Sequence, residues 1–379
     1  MIIPYGKQKI EQTDIDAVVE VLNSNFLTQG PKVKEFEKHF GERIKNPFCT
    51  AVCNATAGLH VAYQALGLGQ GDLLWTVPNT FVATANAAKY LGADVDFVDI
   101  DPDSFCMSIS ALKSKLKSAT KLPQIVVPVH FAGISCDVKE IYNLSLEYGF
   151  KIVEDAAHAV GGFYDDSHVG SCKYSDAAVF SFHPVKIITT GEGGIVAAKD
   201  QAVHNNIQQL ITHGITKDPS KMSNNSAEPW FYEMQTLGYN YRLTDIQAAL
   251  GSSQLSRLDE NIKRRNEIAL RYQEAFKNSK IKMQKIIKDG ASAWHLFVIL
   301  LENNLKRREV FDYLHSKSIK VQIHYIPVHT QPYYRNLGFK PGDFPNSEKY
   351  YENCISIPMY HSLNQEEQDY VITAIKEIV

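Results

Sequence analysis

Cysteine is sparse in this 379-residue chain, and its spacing carries no chemistry. The six (Cys49, Cys53, Cys106, Cys136, Cys172 and Cys354) form no C-x-x-C pair and no paired metal-ligand spacing. Buried, reduced thiols are therefore expected, with neither a disulfide framework nor a metal site. No run of ~20 apolar residues exists, which excludes a membrane-spanning helix. The opening MIIPYGKQKIEQTD lacks a basic stretch followed by an apolar one, so no secretory signal is expected. Neither sign of charge is in excess: 39 Lys and Arg against 42 Asp and Glu leave a formal charge of −3. That balance argues against a dedicated nucleic-acid binder and against a protein held to anionic membrane by charge. What is present is an ordinary globular composition, 44% hydrophobic and 21% charged. At roughly 150 residues per domain, the length predicts about two domains in a cytoplasmic protein.

Between residues 48 and 198, short apolar runs alternate with amphipathic segments. The runs are Phe48–Val52, Leu73–Val77, Val95–Ile100, Ile125–His130, Lys151–Glu154, Ala177–Phe182 and Gly194–Ala198, with helical patterns such as ATAGLHVAYQAL, TANAAKYLG and DVKEIYNLSLEYG between several of them. Doubly buried strands separated by helices predict an α/β fold with a large, mostly parallel sheet covered on both faces. In such sheets ligands bind where the carboxyl ends of strands lead into helices. A short helix, Thr13–Ser24 with Thr13 as N-cap, and an irregular NFLTQGP stretch precede this region. A polar insert, GITKDPSKMSNNSAEPWF, follows it and reads as an exposed functional loop. One long helical pattern from Thr244 to about Phe276 leads to strands at Ala293–Leu300 and Ile319–Ile323, with helices near Arg307–Ser316 and from Gln365. The expected division is a large α/β domain over 1–250 and a smaller α+β domain over 251–379.

Three segments carry chemistry. In KIVEDAAHAVGG a strand ends in Glu154-Asp155, with His158 three residues on. An acid there reads equally as a ribose ligand, a metal ligand, a partner for a protonated heterocycle or a helix N-cap. In SDAAVFSFHPVKIITTGEGGIV a strand runs into Ser181, and Lys186 follows among apolar neighbours. Such surroundings disfavour the ammonium and make the amine a nucleophile for a carbonyl carbon, while Ser181 suits a phosphate. In CNATAGLHVAYQALGLG the residues Ala55-Thr56-Ala57-Gly58 begin a helix, whose free N–H groups bind anions unless the turn is merely a capped helix. Gly67, Gly69 and Gly71 follow a helix and precede a strand, the reverse of a dinucleotide fingerprint. One cofactor needs all three features, pyridoxal 5′-phosphate: a lysine for its aldehyde, an acid for its ring nitrogen, a helix N-terminus for its phosphate. The candidates are Thr56, Asp155, Ser181 and Lys186, with Phe81 of PNTFVATANA placed to stack on the ring.

Taken in order, the phosphate turn, the Asp-x-x-His pair, SFHPVK, GEGG and GYNYRLTDIQAALG resemble the DegT/DnrJ/EryC1/StrS family of sugar-nucleotide aminotransferases, end to end. The resemblance implies a type I-fold pyridoxal-phosphate enzyme with Lys186 and Asp155 as catalytic residues and His158 facing the cofactor ring. It implies cofactor contacts from Ala55, Thr56, Ala57, Phe81, Asp155, His158, Ser181 and Lys186, and from Asn240 across a homodimer with shared active sites. A related dehydratase branch has histidine in place of the lysine, so Lys186 favours transamination. The N-terminal IPYGKQKIEQTDIDAVVEVLNSNFLTQGPKVKEFE is most similar to the branch that aminates C4 of a UDP-linked 4-keto-6-deoxy-N-acetylhexosamine in pseudaminic acid biosynthesis, with L-glutamate as donor. That likeness implies substrate contacts at Tyr5, Asn25, Phe26, Leu27, Thr28, Ala55, Ser181, Gln322, Ile323, His324 and Tyr325. The alternatives are another keto sugar nucleotide (a bacillosamine-type UDP sugar or a dTDP sugar) and a non-catalytic pyridoxal-phosphate regulator. A nicotinamide oxidoreductase is disfavoured by the missing fingerprint.

Overall fold

The computed structural model describes residues 2–223, 228–302 and 306–379. Seven strands form its main sheet: β1 (Cys49–Val52), β2 (Leu73–Thr76), β3 (Asp94–Phe97), β4 (Ile125–Val126), β5 (Lys151–Asp155), β6 (Ala177–Ser181) and β7 (Gly194–Ala198). Their spatial order is β1-β7-β6-β5-β4-β2-β3. Neighbours from β6 through β3 pair in parallel, whereas β7 runs antiparallel to both β6 and β1. The pairing Ser181↔Gly194 therefore brings the start of β7 to the same edge at which β5 and β6 end.

Side-chain alternation builds a core on each face of the sheet. Val52, Leu74, Phe97, Ile125, Val153, Val179 and Val196 point one way, beneath α3 (Ala55–Ala65) and α4 (Ala83–Tyr90), which follow α1 (Gln12–Leu22) and α2 (Pro31–Ile44) in the chain. Trp75, Val126 and Ile152 point the other way, with Ala51, Ala178, Phe180 and Ile195 beside them against Phe36 and Phe40 of the helix Pro31–Ile44. A further core gathers Ile268, Tyr272, Phe297, Leu314, Ile355 and Ile375 around the antiparallel strands Lys282–Met283, Phe297–Leu300 and Cys354–Ile357. Ile3 belongs to that core and pairs with Ile319, so the N-terminal segment lies against residues from the far end of the chain.

Several boundaries differ from the expected ones. The first helix spans Gln12–Leu22, and its cap is Glu11 rather than Thr13. The buried Asp14 accepts from the Glu11 N–H, while the Thr13 hydroxyl accepts from Arg257. The pattern from Thr244 is two helices, Asp245–Ser256 and Leu258–Phe276, broken at Arg257. Residues 319–323 form two isolated bridges, Ile319 with Ile3 and Gln322 with Ser356, instead of a strand. β4 stops at Val126, because Pro128 has no N–H to extend the ladder. In the polar insert, the residues on either side of the undescribed 224–227 form a 3₁₀ turn at Pro219–Lys221 and a short pairing of Ile215–Thr216 with Glu233–Met234. The expectation of an exposed loop falls partly on 224–227, outside the described residues.

Candidate active site

A cavity of about 730 Å³ opens at the carboxyl edge of the sheet. β5 delivers Asp155 into it, β6 delivers Ser181, the turn after β6 delivers Lys186, and α3 points its N-terminus at it. The turn is fixed by hydrogen bonds from Lys186 N to His183 O and from Thr190 N and Thr189 Oγ1 to Phe182 O.

Asp155 is buried and aimed by two donors: Thr84 Oγ1 on Oδ2 at 2.7 Å and Ala157 N on Oδ1 at 3.1 Å. Lys186 faces the same cavity. Burial disfavours its ammonium and pulls the amine down to about 8, while the Asp155 charge acts in the opposite sense and holds the proton on. At neutral pH the amine is within easy reach of its free-base form. His158 stays neutral because burial, Lys186 and His324 all oppose a second proton. His324 is likewise pulled down, to about 3, by burial and by Lys186, and its Nδ1 meets Ser356 Oγ at 2.8 Å.

At α3 the Asn54 side chain caps the helix by accepting from Ala57 N at 2.9 Å. Among the described residues no acceptor meets the Ala55 or Thr56 N–H, so the open donors are those two rather than Ala57's. β7 approaches this helix start closely. A Cβ on Gly194 would lie 3.0 Å from Ala55 N and 2.7 Å from Phe180 O, so only glycine fits.

The cavity brings together Tyr5, Ala55, Thr56, Ala57, Phe81, Asp155, His158, Ser181, Lys186, His324 and Tyr325. Tyr5 reaches it because its carbonyl accepts from Met359 N and its ring lies 5.6 Å from that of His324. Phe81 stands at the mouth, 59% exposed, its ring centroid 6.1 Å from that of Tyr325. Asn25, Phe26, Leu27 and Thr28 are not brought to this cavity. They lie exposed, with Leu27 O accepting from Asp245 N and Thr28 bridging Thr244. Gln322 is committed to backbone pairing with Ser356, and Ile323 packs against apolar neighbours. Asn240 is exposed and bridges Thr212, although the next residue, Tyr241, lines the cavity. Sequence reading missed Thr84, His60 and His295. Thr84 had a signal: it sits one helical turn after Phe81 in PNTFVATANA. The two histidines had none.

A nucleophilic amine, an oriented carboxylate and a helix N-terminus flanked by the Ser181 and Thr56 hydroxyls fit pyridoxal phosphate group by group. Lys186 would hold its carbonyl carbon, Asp155 its ring nitrogen, and Ala55, Thr56 and Ser181 its phosphate. Fold and site together define a type I-fold, pyridoxal-phosphate-dependent aminotransferase. The chain belongs to the DegT/DnrJ/EryC1/StrS aminotransferase family, which it matches over residues 8–376. It is 39% identical to the spore coat polysaccharide biosynthesis protein SpsC of Bacillus subtilis, covering 100% of this chain and 97% of that one. It is 38% identical to the UDP-4-amino-4,6-dideoxy-N-acetyl-beta-L-altrosamine transaminase of Campylobacter jejuni serotype O:2, covering 97% and 95%. Among solved structures it is similar to Spr1654 of Streptococcus pneumoniae, described as a sugar aminotransferase and solved in its PMP-form. The TM-score there is 0.91 and the identity 31%, covering 99% of this chain and 98% of that one. The protein is a sugar aminotransferase acting on a nucleotide sugar and an amino donor.

Proposed function

We propose that this enzyme transfers the amino group of L-glutamate to C4 of a UDP-linked 4-keto-6-deoxy-N-acetylhexosamine. The product is UDP-4-amino-4,6-dideoxy-N-acetyl-β-L-altrosamine, on the route to pseudaminic acid. The observation that carries the reaction is the Lys186 amine, softened to about 8, sharing one cavity with the doubly oriented Asp155. The Campylobacter relative supports the sugar, as does a cavity wall built from Tyr5 at one end of the chain and His324-Tyr325 near the other.

Bound pyridoxal phosphate supplies an electrophilic carbonyl carbon and a ring that accepts electrons from the carbon being deprotonated. The chain's residues do the rest. Lys186 Nζ removes the proton from the donor's Cα and, in the second half-reaction, gives one to C4 of the sugar. Asp155 holds the proton on the ring nitrogen by charge pairing. Ala55 and Thr56 N–H groups anchor the phosphate, so that the ring cannot drift from the lysine. Because Lys186 works from one side, the way the sugar lies against Tyr5, His324 and Tyr325 sets the configuration at C4.

A homodimer completes the reading, with Asn240 reaching the partner subunit's site. Large apolar side chains are open to a second copy: Trp230, Leu237 and Phe26 are 74%, 72% and 54% exposed.

The experiment is a comparison of two acceptors. Holoenzyme is incubated with L-glutamate and either the L-arabino 4-keto sugar or its D-xylo C5 epimer, while 2-oxoglutarate release is followed and the product identified by NMR. A misplaced reacting carbon costs ~100-fold in rate, so kcat/KM is expected to favour the L-arabino compound by about that factor. Equal use of both, or preference for the D-xylo epimer, would assign the enzyme to the bacillosamine-type branch.

A further inference from the structure

Two histidines, His158 in the cavity wall and His130 behind it, are each fixed by a backbone amide, and this settles where their ring hydrogens sit. A backbone N–H only donates, so a ring nitrogen that receives one must present its lone pair. Cys136 N donates to His130 Nδ1 at 3.0 Å, which leaves the His130 hydrogen on Nε2, aimed at Glu154 Oε2 2.7 Å away. Ser175 Oγ donates to the other Glu154 oxygen. In the same loop, Ala132 N donates to His158 Nδ1 at 3.2 Å, which leaves the His158 hydrogen on Nε2, 3.1 Å from the Tyr325 hydroxyl oxygen.

The loop's shape is tightly specified. Ala132 has φ 58° and Gly133 φ 98°. A Cβ on Gly133 would come within 3.0 Å of His158 O and 2.8 Å of Trp294 N. The Phe131 ring packs edge-on against Tyr325, with centroids 6.2 Å apart. The loop therefore supports Tyr325 twice, by packing and through His158. Glu154 and His130 hold its base, although Glu154 lines none of the cavity.

We propose that Glu154 and His130 are positioning residues for Tyr325. By holding the 130–136 loop they keep His158 as the Nε2–H tautomer, so that the Tyr325 oxygen accepts from it and the Tyr325 hydrogen is donated into the cavity. The recipient is an acceptor oxygen of the sugar, carbonyl or hydroxyl. Burial keeps both groups in the required form, His158 neutral and Tyr325 un-ionised. The sugar as recipient rests on the function proposed above; the tautomer does not.

The first test uses the holoenzyme without sugar, carrying ¹⁵N in its histidine rings, with the His158 signals identified by their loss in His158→Gln. The expected spectrum has Nδ1 unprotonated and Nε2 protonated. A protonated Nδ1, or an even mixture of tautomers, would overturn the proposal. The second test separates positioning from mere folding. Glu154→Leu removes the acceptor for His130, whereas Glu154→Gln keeps one in its amide oxygen. The kcat for amino transfer to the sugar is expected to fall about tenfold in the leucine variant, the worth of one hydrogen bond. Glutamine is expected to stay near wild type. In a Tyr325→Phe background the leucine effect should vanish, since the hydroxyl through which it acts is gone. An undiminished loss in that background would make Glu154 a purely structural residue and sink the proposal. If no tested sugar turns over, the function reading fails, and the nitrogen spectrum still decides the tautomer.

Discussion

Lys186 owes its reactivity to its address. In water a lysine amine ionises near 10.4; enclosed at this turn it is pulled down to about 8, with Asp155 opposing part of that shift. Covalent uptake of pyridoxal phosphate by the cofactor-free protein needs the unprotonated amine. Its rate, followed by borohydride trapping, is expected to rise with pH and level off above about 8. A plateau near 10 would show an ordinary exposed lysine. The sign of the coupling gives a second expectation. Asp155 favours the ammonium, so Asp155→Asn should move that midpoint to lower pH and make uptake easier. The same substitution should slow the glutamate half-reaction on the order of 100-fold, because a neutral amide no longer holds the ring-nitrogen proton by charge. Slow turnover with easy uptake would separate the two roles of Asp155, whereas an unchanged half-reaction rate in stopped-flow measurements would give the ring nitrogen another partner. Both residues had a local signal in the sequence: Asp155 closes an apolar strand, and Lys186 follows one by a short turn among apolar neighbours. Thr84, which aims Asp155, had a local signal for its place near Phe81 but none for its partner, because nothing local says that a threonine on one helix meets a carboxylate 71 positions later.

At the scale of elements, the proposed phosphate cradle depends on where α3 begins. Asn54 caps it and leaves the Ala55 and Thr56 amides free to point at the cavity. Asn54→Ala is expected to cost about 1 kcal/mol of stability by thermal or denaturant unfolding. Because the frayed first turn is also the proposed phosphate anchor, the variant should release cofactor faster, measured by dilution and absorbance. Normal retention with lost stability would move the anchor to the Ser181 hydroxyl. The helix start was legible from CNATAG, but the role of Ala57 was not: which amides are free depends on the rotamer Asn54 adopts. The helix Pro31–Ile44 bore its own signature, proline at its first position and Phe36, Phe40 and Ile44 on one face, and the sequence reading gave it no assignment. The expected strand at 319–323 failed for a different reason. Its apolar alternation is real, but its two bridges go to different partners, Ile3 and Ser356, so no ladder extends.

For the whole molecule, the decisive arrangement is the meeting of chain ends. Ile3 pairs with Ile319 and the Tyr5 carbonyl with Met359 N, which puts the first residues beside His324 and Tyr325 at the cavity. Asn240 and the 25–28 segment instead lie exposed, and the proposed dimer gives Asn240 to the neighbouring copy's site. Mixing inactive Lys186→Ala chains with impaired Asn240→Ala chains tests this. In a mixed dimer one site joins an intact lysine to an intact partner asparagine. Random exchange should then restore about a quarter of wild-type activity, since half the dimers are mixed and each has one good site. No recovery, with mixed dimers demonstrated by mass spectrometry, would mean that Asn240 serves its own chain.

The sequence by itself determined the mostly parallel sheet, the strand ends bearing Asp155 and Ser181, the lysine after them and the helix start that faces the cavity. These are local properties, written in apolar period, in the chemistry at strand ends and in short motifs. Tertiary structure alone decided that β7 runs antiparallel, which brings Gly194 against Ala55. It alone joined Tyr5 to His324, and it alone left Gln322 and Ile323 outside the cavity while His324 and Tyr325 line it. Each of those outcomes is set by contacts between residues far apart in the chain, and a run of neighbouring residues carries no record of which distant surface it will meet.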